Sequence, residues 1–200
     1  FTYPLIGNTG INRDDMESLF PTTAGVVCRE VPRVASNWRN QMSLDEFLRA
    51  HGIPGLAGID TRALVRRLRD HGVMKGTLLG PDADLDAALE DLRARQLPTD
   101  QISQVSTRTA YPSPLGKYNV VLFDFGLKHS ILRELDRRGC AVTVVPHDFT
   151  ANRVRTLSPD GIMLSNGPGD PKSIPQVIDV IRDLQEEYPI CLLYTSDAAD

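Results

Sequence analysis

The chain has 200 residues, of which 41% are hydrophobic and 24% charged, and its formal net charge at pH 7 is −4. These values are typical of a soluble globular protein with one large or two small domains, and they argue against a nucleic-acid-binding surface. No apolar stretch approaches the length of a membrane span, so no membrane partner is expected. The three cysteines are widely spaced, which favours a reducing, cytoplasmic location over a disulfide framework or a metal site.

The front of the chain contains two strand patterns and three helix patterns. We predict one strand over residues 25–29 and a short one at Leu78 and Leu79, and we predict helices over residues 44–51, over residues 62–70 and from Leu85 onwards. Ser43 and Glu46 form a capping box for the first helix, and Asp60 caps the second, which ends at Gly72. Helical spacing predicts a buried stripe on the second helix, formed by Leu64, Val65 and Leu68. The arginines around this stripe indicate a solvated helix face, with a partner-docking surface as the alternative: Arg62, Arg66, Arg67 and Arg69.

Residues 96–118 differ in composition from both flanks, because Gln, Ser, Thr and Pro dominate, and this is typical of a linker. After it, continuous apolar runs alternate with amphipathic helix patterns. We predict strands over residues 120–123, 141–145, 161–164 and 189–193, and helices over residues 128–138, over residues 151–157 and beyond residue 173. Ser173 is the predicted N-cap of the last helix, with Pro175 in its first turn. This alternation indicates an α/β fold whose parallel sheet is covered on both faces.

The most informative segment is the turn Gly167–Gly169, here called the glycine turn, which follows the predicted strand 161–164. The two glycines allow a close approach of the backbone, and Pro168 between them has no N–H, so the donors are the amides of Gly167 and Gly169. A rigid pair of amides at the end of a parallel strand can hold a carboxylate, a phosphate or a developing oxyanion. The alternative is an ordinary tight turn.

The other candidates are single residues. Cys191 is the cysteine nearest to the expected end of the fourth strand, but no glycine flanks it, and we interpret it as a buried core cysteine. His147 and Asp148 follow the second strand and are candidates to line a crevice. The four histidines share no metal-ligand spacing, so no metal site is predicted.

Several motifs occur together in an order that resembles one known family. They are Phe1-Thr2-Tyr3-Pro4 with Ile6-Gly7-Asn8 and Asn12, Ala35-Ser36-Asn37-Trp38-Arg39, Ile59-Asp60-Thr61-Arg62, Asp124-Phe125-Gly126-x-Lys128, and Leu164-Ser165-Asn166-Gly167-Pro168-Gly169-Asp170-Pro171. Over residues 1–190 the chain resembles the small, glutamine-hydrolysing subunit of carbamoyl phosphate synthetase. The glycine turn alone indicates a class I glutamine amidotransferase, and the front half makes the resemblance specific.

The resemblance implies a domain layout and a function. Residues 1–110 correspond to the small subunit's N-terminal α/β domain without its first strands, residues 111–118 to a linker, and residues 119–190 to the first half of the amidotransferase parallel-sheet domain, so we expect a chain truncated at both ends. In the family a cysteine attacks the side-chain amide of glutamine, and water then releases glutamate from the thioester. The ammonia passes through a tunnel to a large subunit, which makes carbamoyl phosphate from bicarbonate and ATP for arginine and pyrimidine synthesis. ATP and Mg²⁺ are expected on that partner, with no cofactor in this chain.

By residue match, Gly167 and Gly169 bind glutamine, and Gly167 supplies an oxyanion-hole amide. The family's nucleophile lies five residues after a proline, where this chain has Tyr194, so Cys191 is out of register and no catalytic residue is assigned. Residues 191–200 match nothing in the family and are interpreted as a non-native tail, and the family's catalytic His and Glu lie further downstream. We therefore expect this chain alone to be inactive. The alternatives are another class I glutamine amidotransferase, or an amidotransferase-like binding or scaffold protein without a nucleophile.

Overall fold

The structure is a computed structural model, and it describes residues 1, 6–18, 20–72, 74–113 and 115–193. Thr2 to Pro4 of the first motif, and residues 194–200 of the predicted tail, lie outside the described residues. The chain divides into two compact units, Phe1–Leu97 and Pro98–Asp200. Among the helices described, none has the length and apolar character needed to span a bilayer.

The first unit is a small α/β arrangement. Its regular elements in the described residues are β1 (Val26–Val27), α1 (Leu44–Ala50), β2 (Gly55–Leu56), α2 (Thr61–His71) and α3 (Leu85–Ala94), with a 3-10 turn at Arg13–Asp15. β1 and β2 pair in parallel. The strand predicted over residues 25–29 and the three predicted helices are therefore confirmed, although this strand is shorter than predicted. The strand predicted at Leu78 and Leu79 is wrong, because both residues lie outside any strand and are exposed.

Local capping decides where the first two helices begin and end. The Ser43 hydroxyl accepts the N–H of Glu46 at 3.2 Å, and the Glu46 carboxylate accepts the N–H of Ser43 at 2.7 Å, which completes the capping box. That backbone hydrogen bond lowers the pKa of Glu46. The Asp60 carboxylate accepts the N–H of Ala63 at 3.0 Å, and Gly72 ends α2 with a φ of +75°.

The predicted burial of the α2 stripe is wrong at Leu64. This side chain is 41% exposed, whereas Val65 and Leu68 are half-buried and Thr61 is buried. Helical spacing shows which residues share a face, but burial depends on what packs over that face, and the spacing carries no information on this.

The second unit is a doubly wound α/β sheet. Its described elements are α4 (Gln101–Val105), β3 (Tyr111–Pro112), β4 (Tyr118–Asp124), α5 (His129–Arg137), β5 (Cys140–Pro146), α6 (Ala151–Thr156), β6 (Gly161–Leu164), α7 (Pro175–Leu184) and β7 (Ile190–Leu192). The strand order in the described part is β3-β5-β4-β6-β7. β5, β4, β6 and β7 run parallel, and β3 pairs antiparallel with β5 at one edge.

Helices cover both faces of this sheet, as the sequence predicts. On one face Leu122, Val142 and Val144 pack against α5. On the other face Val121, Phe123 and Ile162 pack with residues of α6 and α7, and this larger cluster also buries Ile102 of α4. Leu122 faces one side of the sheet and its neighbours Val121 and Phe123 face the other, because successive side chains of a strand point to opposite faces.

Two predictions for this unit need correction. Residues 101–105 and 111–112 form α4 and β3 inside the predicted linker, and the two units meet at residues 97 and 98 rather than near residue 110. The reason is tertiary, because Ile102 is buried in the sheet core. Ser173 is not the N-cap of α7, since that position is taken by Ile174, after a 3-10 turn at Pro171–Ser173.

Candidate functional site

The strand order places a crevice between the carboxyl ends of β4 and β6. The connection after β4 leads through α5 to β5 on one side, and the connection after β5 leads through α6 to β6 on the other side of β4. Such a reversal is the switch point at which open α/β sheets bind ligands. The glycine turn follows β6 directly, so the structure places it at this point.

Asp124, the last residue of β4, organises the turn that faces the glycine turn. Its buried carboxylate accepts the N–H groups of Gly126 at 2.9 Å and Leu127 at 2.8 Å through one oxygen. The other oxygen accepts the N–H of Thr107 at 2.7 Å. One side chain therefore fixes the turn after β4 and attaches the segment that follows α4.

Ser165 joins the two turns. Its buried hydroxyl accepts the N–H of Phe125 at 2.9 Å and donates to the carbonyl oxygen of Asn166 at 3.0 Å. Each bond involves a backbone group, one from the turn after β4 and one from the chain leading into the glycine turn. The hydroxyl therefore sets the distance between the two turns.

The two glycines are required for different reasons. A Cβ on Gly167 would overlap the carbonyl oxygen of Phe125 and lie 2.8 Å from the Cβ of Phe125, so this position needs glycine for a close backbone approach. Gly169 has a φ of +83°, a conformation that side chains disfavour, and a Cβ there would lie 2.8 Å from the carboxamide oxygen of Gln101.

Both glycines are exposed, and neither N–H has a hydrogen-bond acceptor in the part of the chain that the structure describes. Two donors that the fold leaves unpaired at a switch point can stabilise negative charge on a ligand.

The space beside the glycine turn is small. A groove of about 20 Å³ is lined by Pro98, Thr99, Gln101, Ile102, Pro168, Gly169 and Asp170. A volume of this size holds roughly one water molecule, so the groove as it stands does not accommodate an amino acid.

The interpretation of Cys191 as a buried core cysteine is wrong. Cys191 lies in the middle of β7, opposite Met163, and its side chain is exposed. The reason is that β7 is the edge strand of the sheet in the described residues. A position within a strand is also not a strand-to-helix turn, where a nucleophile would be presented.

His147 lies at the carboxyl end of β5, and β4 separates β5 from β6, the strand that the glycine turn follows. The backbone N–H of His147 donates to the Ser106 hydroxyl at 3.0 Å. The buried ring nitrogen Nδ1 has no hydrogen-bond partner among the residues described. Those residues also contain no group of three His, Cys, Asp or Glu side chains that could hold a metal ion.

Three residues of the site were missed by sequence reasoning. Asp124 was detectable, because Asp followed two residues later by Gly after a strand is a turn signal. Ser165 and Gln101 gave no such signal, since their roles depend on partners that are 40 and 68 positions away in the chain.

Comparison with known proteins first defines the class of the second unit. Residues 121–192 match the family model of class-I glutamine amidotransferases. The doubly wound sheet and the glycine turn after its third parallel strand agree with this match. The second unit thus contains part of an amidotransferase domain of that class.

The first unit shows which family of proteins with such a domain the chain resembles. Residues 1–78 match the CPSase domain of the carbamoyl-phosphate synthase small chain. The chain is 59% identical over 190 residues to the carbamoyl phosphate synthase small chain of Streptococcus pneumoniae serotype 4, which covers 95% of this chain and 53% of that protein. The corresponding protein of Streptococcus mutans serotype c is 57% identical over 190 residues, covering 95% of this chain and 52% of its own length.

The chain spans about half the length of the curated relatives that it matches. Over that span it belongs to the carbamoyl phosphate synthase small chain family.

Proposed function

We propose that the whole protein is the glutamine-hydrolysing subunit of a carbamoyl phosphate synthase. It releases ammonia from glutamine for a large subunit, which forms carbamoyl phosphate from bicarbonate and ATP for arginine and pyrimidine synthesis. ATP and Mg²⁺ are assigned to that large subunit. The observation that carries the proposal is the 59% identity that extends across both units. It is supported by the two amides at the switch point that have no acceptor within the described part of the chain.

Gly167 and Gly169 are assigned to the glutamine site. A cysteine thiolate attacks the side-chain amide carbon of glutamine, and the carbonyl oxygen becomes an oxyanion. The N–H of Gly167 stabilises that charge, and the N–H of Gly169 contributes to substrate binding. The C–N bond then breaks with protonation of the departing ammonia, and water cleaves the thioester to give glutamate and the free thiol.

Cys191 is not assigned as that nucleophile. It lies inside an exposed edge strand, and no glycine flanks it to form a sharp turn. We therefore propose that the 200-residue chain alone does not hydrolyse glutamine. An amidotransferase-like scaffold without a nucleophile is the less favoured reading, because both units match the family of an enzyme subunit.

The test is glutamate release from glutamine, measured for the whole protein with its large subunit and for the 200-residue chain in parallel. We expect turnover by the complex and none by the chain. A complex that hydrolyses no glutamine would overturn the proposed function. Hydrolysis by the chain that disappears in Cys191→Ala would instead overturn the exclusion of Cys191.

A further inference from the structure

α4 forms one wall of the groove beside the glycine turn. It is the first helix of the second unit, and Ile102 attaches it to the sheet core. Val105 lies close to the turn after β4, because a Cβ on Gly126 would lie 3.4 Å from the side chain of Val105. The same Cβ would lie 3.4 Å from the ring of Pro168 in the glycine turn.

The carboxyl end of this wall is held by hydrogen bonds. The N–H of Thr107 donates to the buried carboxylate of Asp124 at 2.7 Å, and the Ser106 hydroxyl accepts the N–H of His147 at 3.0 Å. The wall itself is therefore fixed on the sheet, and any adjustment at the groove falls to side chains.

Gln101 is the side chain that narrows the groove. Its carboxamide oxygen lies 2.8 Å from the position that a Cβ on Gly169 would occupy. The carboxamide makes no hydrogen bond with the residues that the structure describes, so packing alone holds it there. Because this side chain is half-buried and has no hydrogen-bond partner among the described residues, it can change rotamer without breaking a hydrogen bond there.

We propose that Gln101 is a positioning residue that controls access of glutamine to Gly169. Its carboxamide occupies the space over Gly169 in the free protein and rotates away when substrate binds. This inference rests on the proposed function. The groove of about 20 Å³ is the closed state, and the population of closed states weakens the apparent affinity for glutamine.

If Gln101 controls access, substitutions of Gln101 should change the KM for glutamine and leave kcat nearly unchanged. Gln101→Ala removes the obstruction, so the KM for glutamine should fall at least about threefold while kcat is retained, because binding no longer competes with the closed state. Gln101→Phe fills the groove with a larger side chain and should raise KM. Gln104→Ala is the matched control, because Gln104 is on the same helix but exposed and bonded to Asp100 at 3.0 Å.

The experiment is steady-state glutamine hydrolysis by the whole protein with its large subunit, for the wild type and the three variants, with thermal unfolding midpoints to confirm folding. Opposite changes in KM for the two Gln101 variants, with Gln104→Ala unchanged, support the inference. An unchanged or raised KM in folded Gln101→Ala, or a loss confined to kcat, overturns it while wild-type turnover leaves the proposed function standing. A wild-type complex without turnover overturns both.

Discussion

Three residues at the switch point contribute to the site in different ways. Asp124 shapes the turn after β4, Ser165 connects that turn to the one after β6, and the lack of a side chain at Gly167 lets the two backbones approach. Because each contribution has a separate physical origin, each predicts a different result on substitution.

Gly167→Ala should destabilise the second unit. The added Cβ meets the backbone of Phe125, which cannot move as a flexible side chain would. Overpacking of this kind costs about 1–3 kcal/mol, which in a unit of this size is a fall in Tm on the order of 5–15 °C. Gly161→Ala is the control, because its Cβ would lie 3.5 Å from Pro189 in ordinary contact. Equal Tm values for the two variants would contradict the close approach.

Ser165→Ala should loosen the link between the turns. The substitution leaves the N–H of Phe125 buried without its acceptor. We expect the hydrogen-exchange protection of the Phe125 amide to fall on the order of tenfold or more. Ser103→Ala removes an exposed hydroxyl that donates to the carbonyl oxygen of Asp100 at 2.7 Å, and should leave Phe125 protected. Undiminished protection in Ser165→Ala would show that packing alone sets this distance.

Among the elements, those with strong local signals were predicted closely. β6 was predicted over residues 161–164 and is observed as Gly161–Leu164. α5 lies within one residue of the prediction at each end, and Gly139, with a φ of +76°, stops it at the carboxyl end. Where an apolar run or a helical stripe ends at a glycine, the local sequence alone predicts where the strand or helix ends.

α4 and β3 could not be predicted in the same way. Their segment is rich in Gln, Ser, Thr and Pro, and intrinsic preference there favours a linker. The order of this segment comes from burial of Ile102 and from pairing of Tyr111 with Val144, a residue that is 33 positions later. The candidate site is affected most, because α4 provides the wall that carries Gln101.

Arg155 of α6 forms ion pairs with α7 and with the turn that follows α7, and their effect on stability depends on pH. Arg155 donates to the carboxylates of Asp183, at 2.9 Å, and Glu187, at 2.6 Å. The Glu187 hydrogen bond raises the pKa of Arg155, and the Arg155 hydrogen bond lowers the pKa of Glu187 from its ordinary value of 4.5.

This shift predicts how Glu187→Gln changes the Tm. Because the folded pKa of Glu187 is the lower one, the ion pair's contribution is complete above the ordinary pKa and is lost as pH falls through the folded pKa. The Tm difference between wild type and Glu187→Gln should therefore be constant at neutral pH and shrink below about pH 4.5. Thermal unfolding from pH 3 to pH 7 checks this, with Glu186→Gln as the neighbouring control. A difference that persists unchanged at the lowest pH would contradict the ion pair.

For the molecule as a whole, the two units carry different information. The glycine turn and the sheet indicate a class of domain, whereas the motifs of the first unit indicate the family. Both were readable from the sequence, because they depend on local motifs. Cytoplasmic location remains a prediction from cysteine usage.

The most direct test is carbamoyl phosphate synthesis by the whole protein with its large subunit, measured once with glutamine and once with ammonia as nitrogen source. The wild type should use both, and Gly167→Ala should lose the glutamine-dependent rate while keeping the ammonia-dependent rate, because only the first requires the glycine turn. A wild type that uses ammonia alone, or a Gly167→Ala complex that uses glutamine as well as the wild type does, would contradict the assignment.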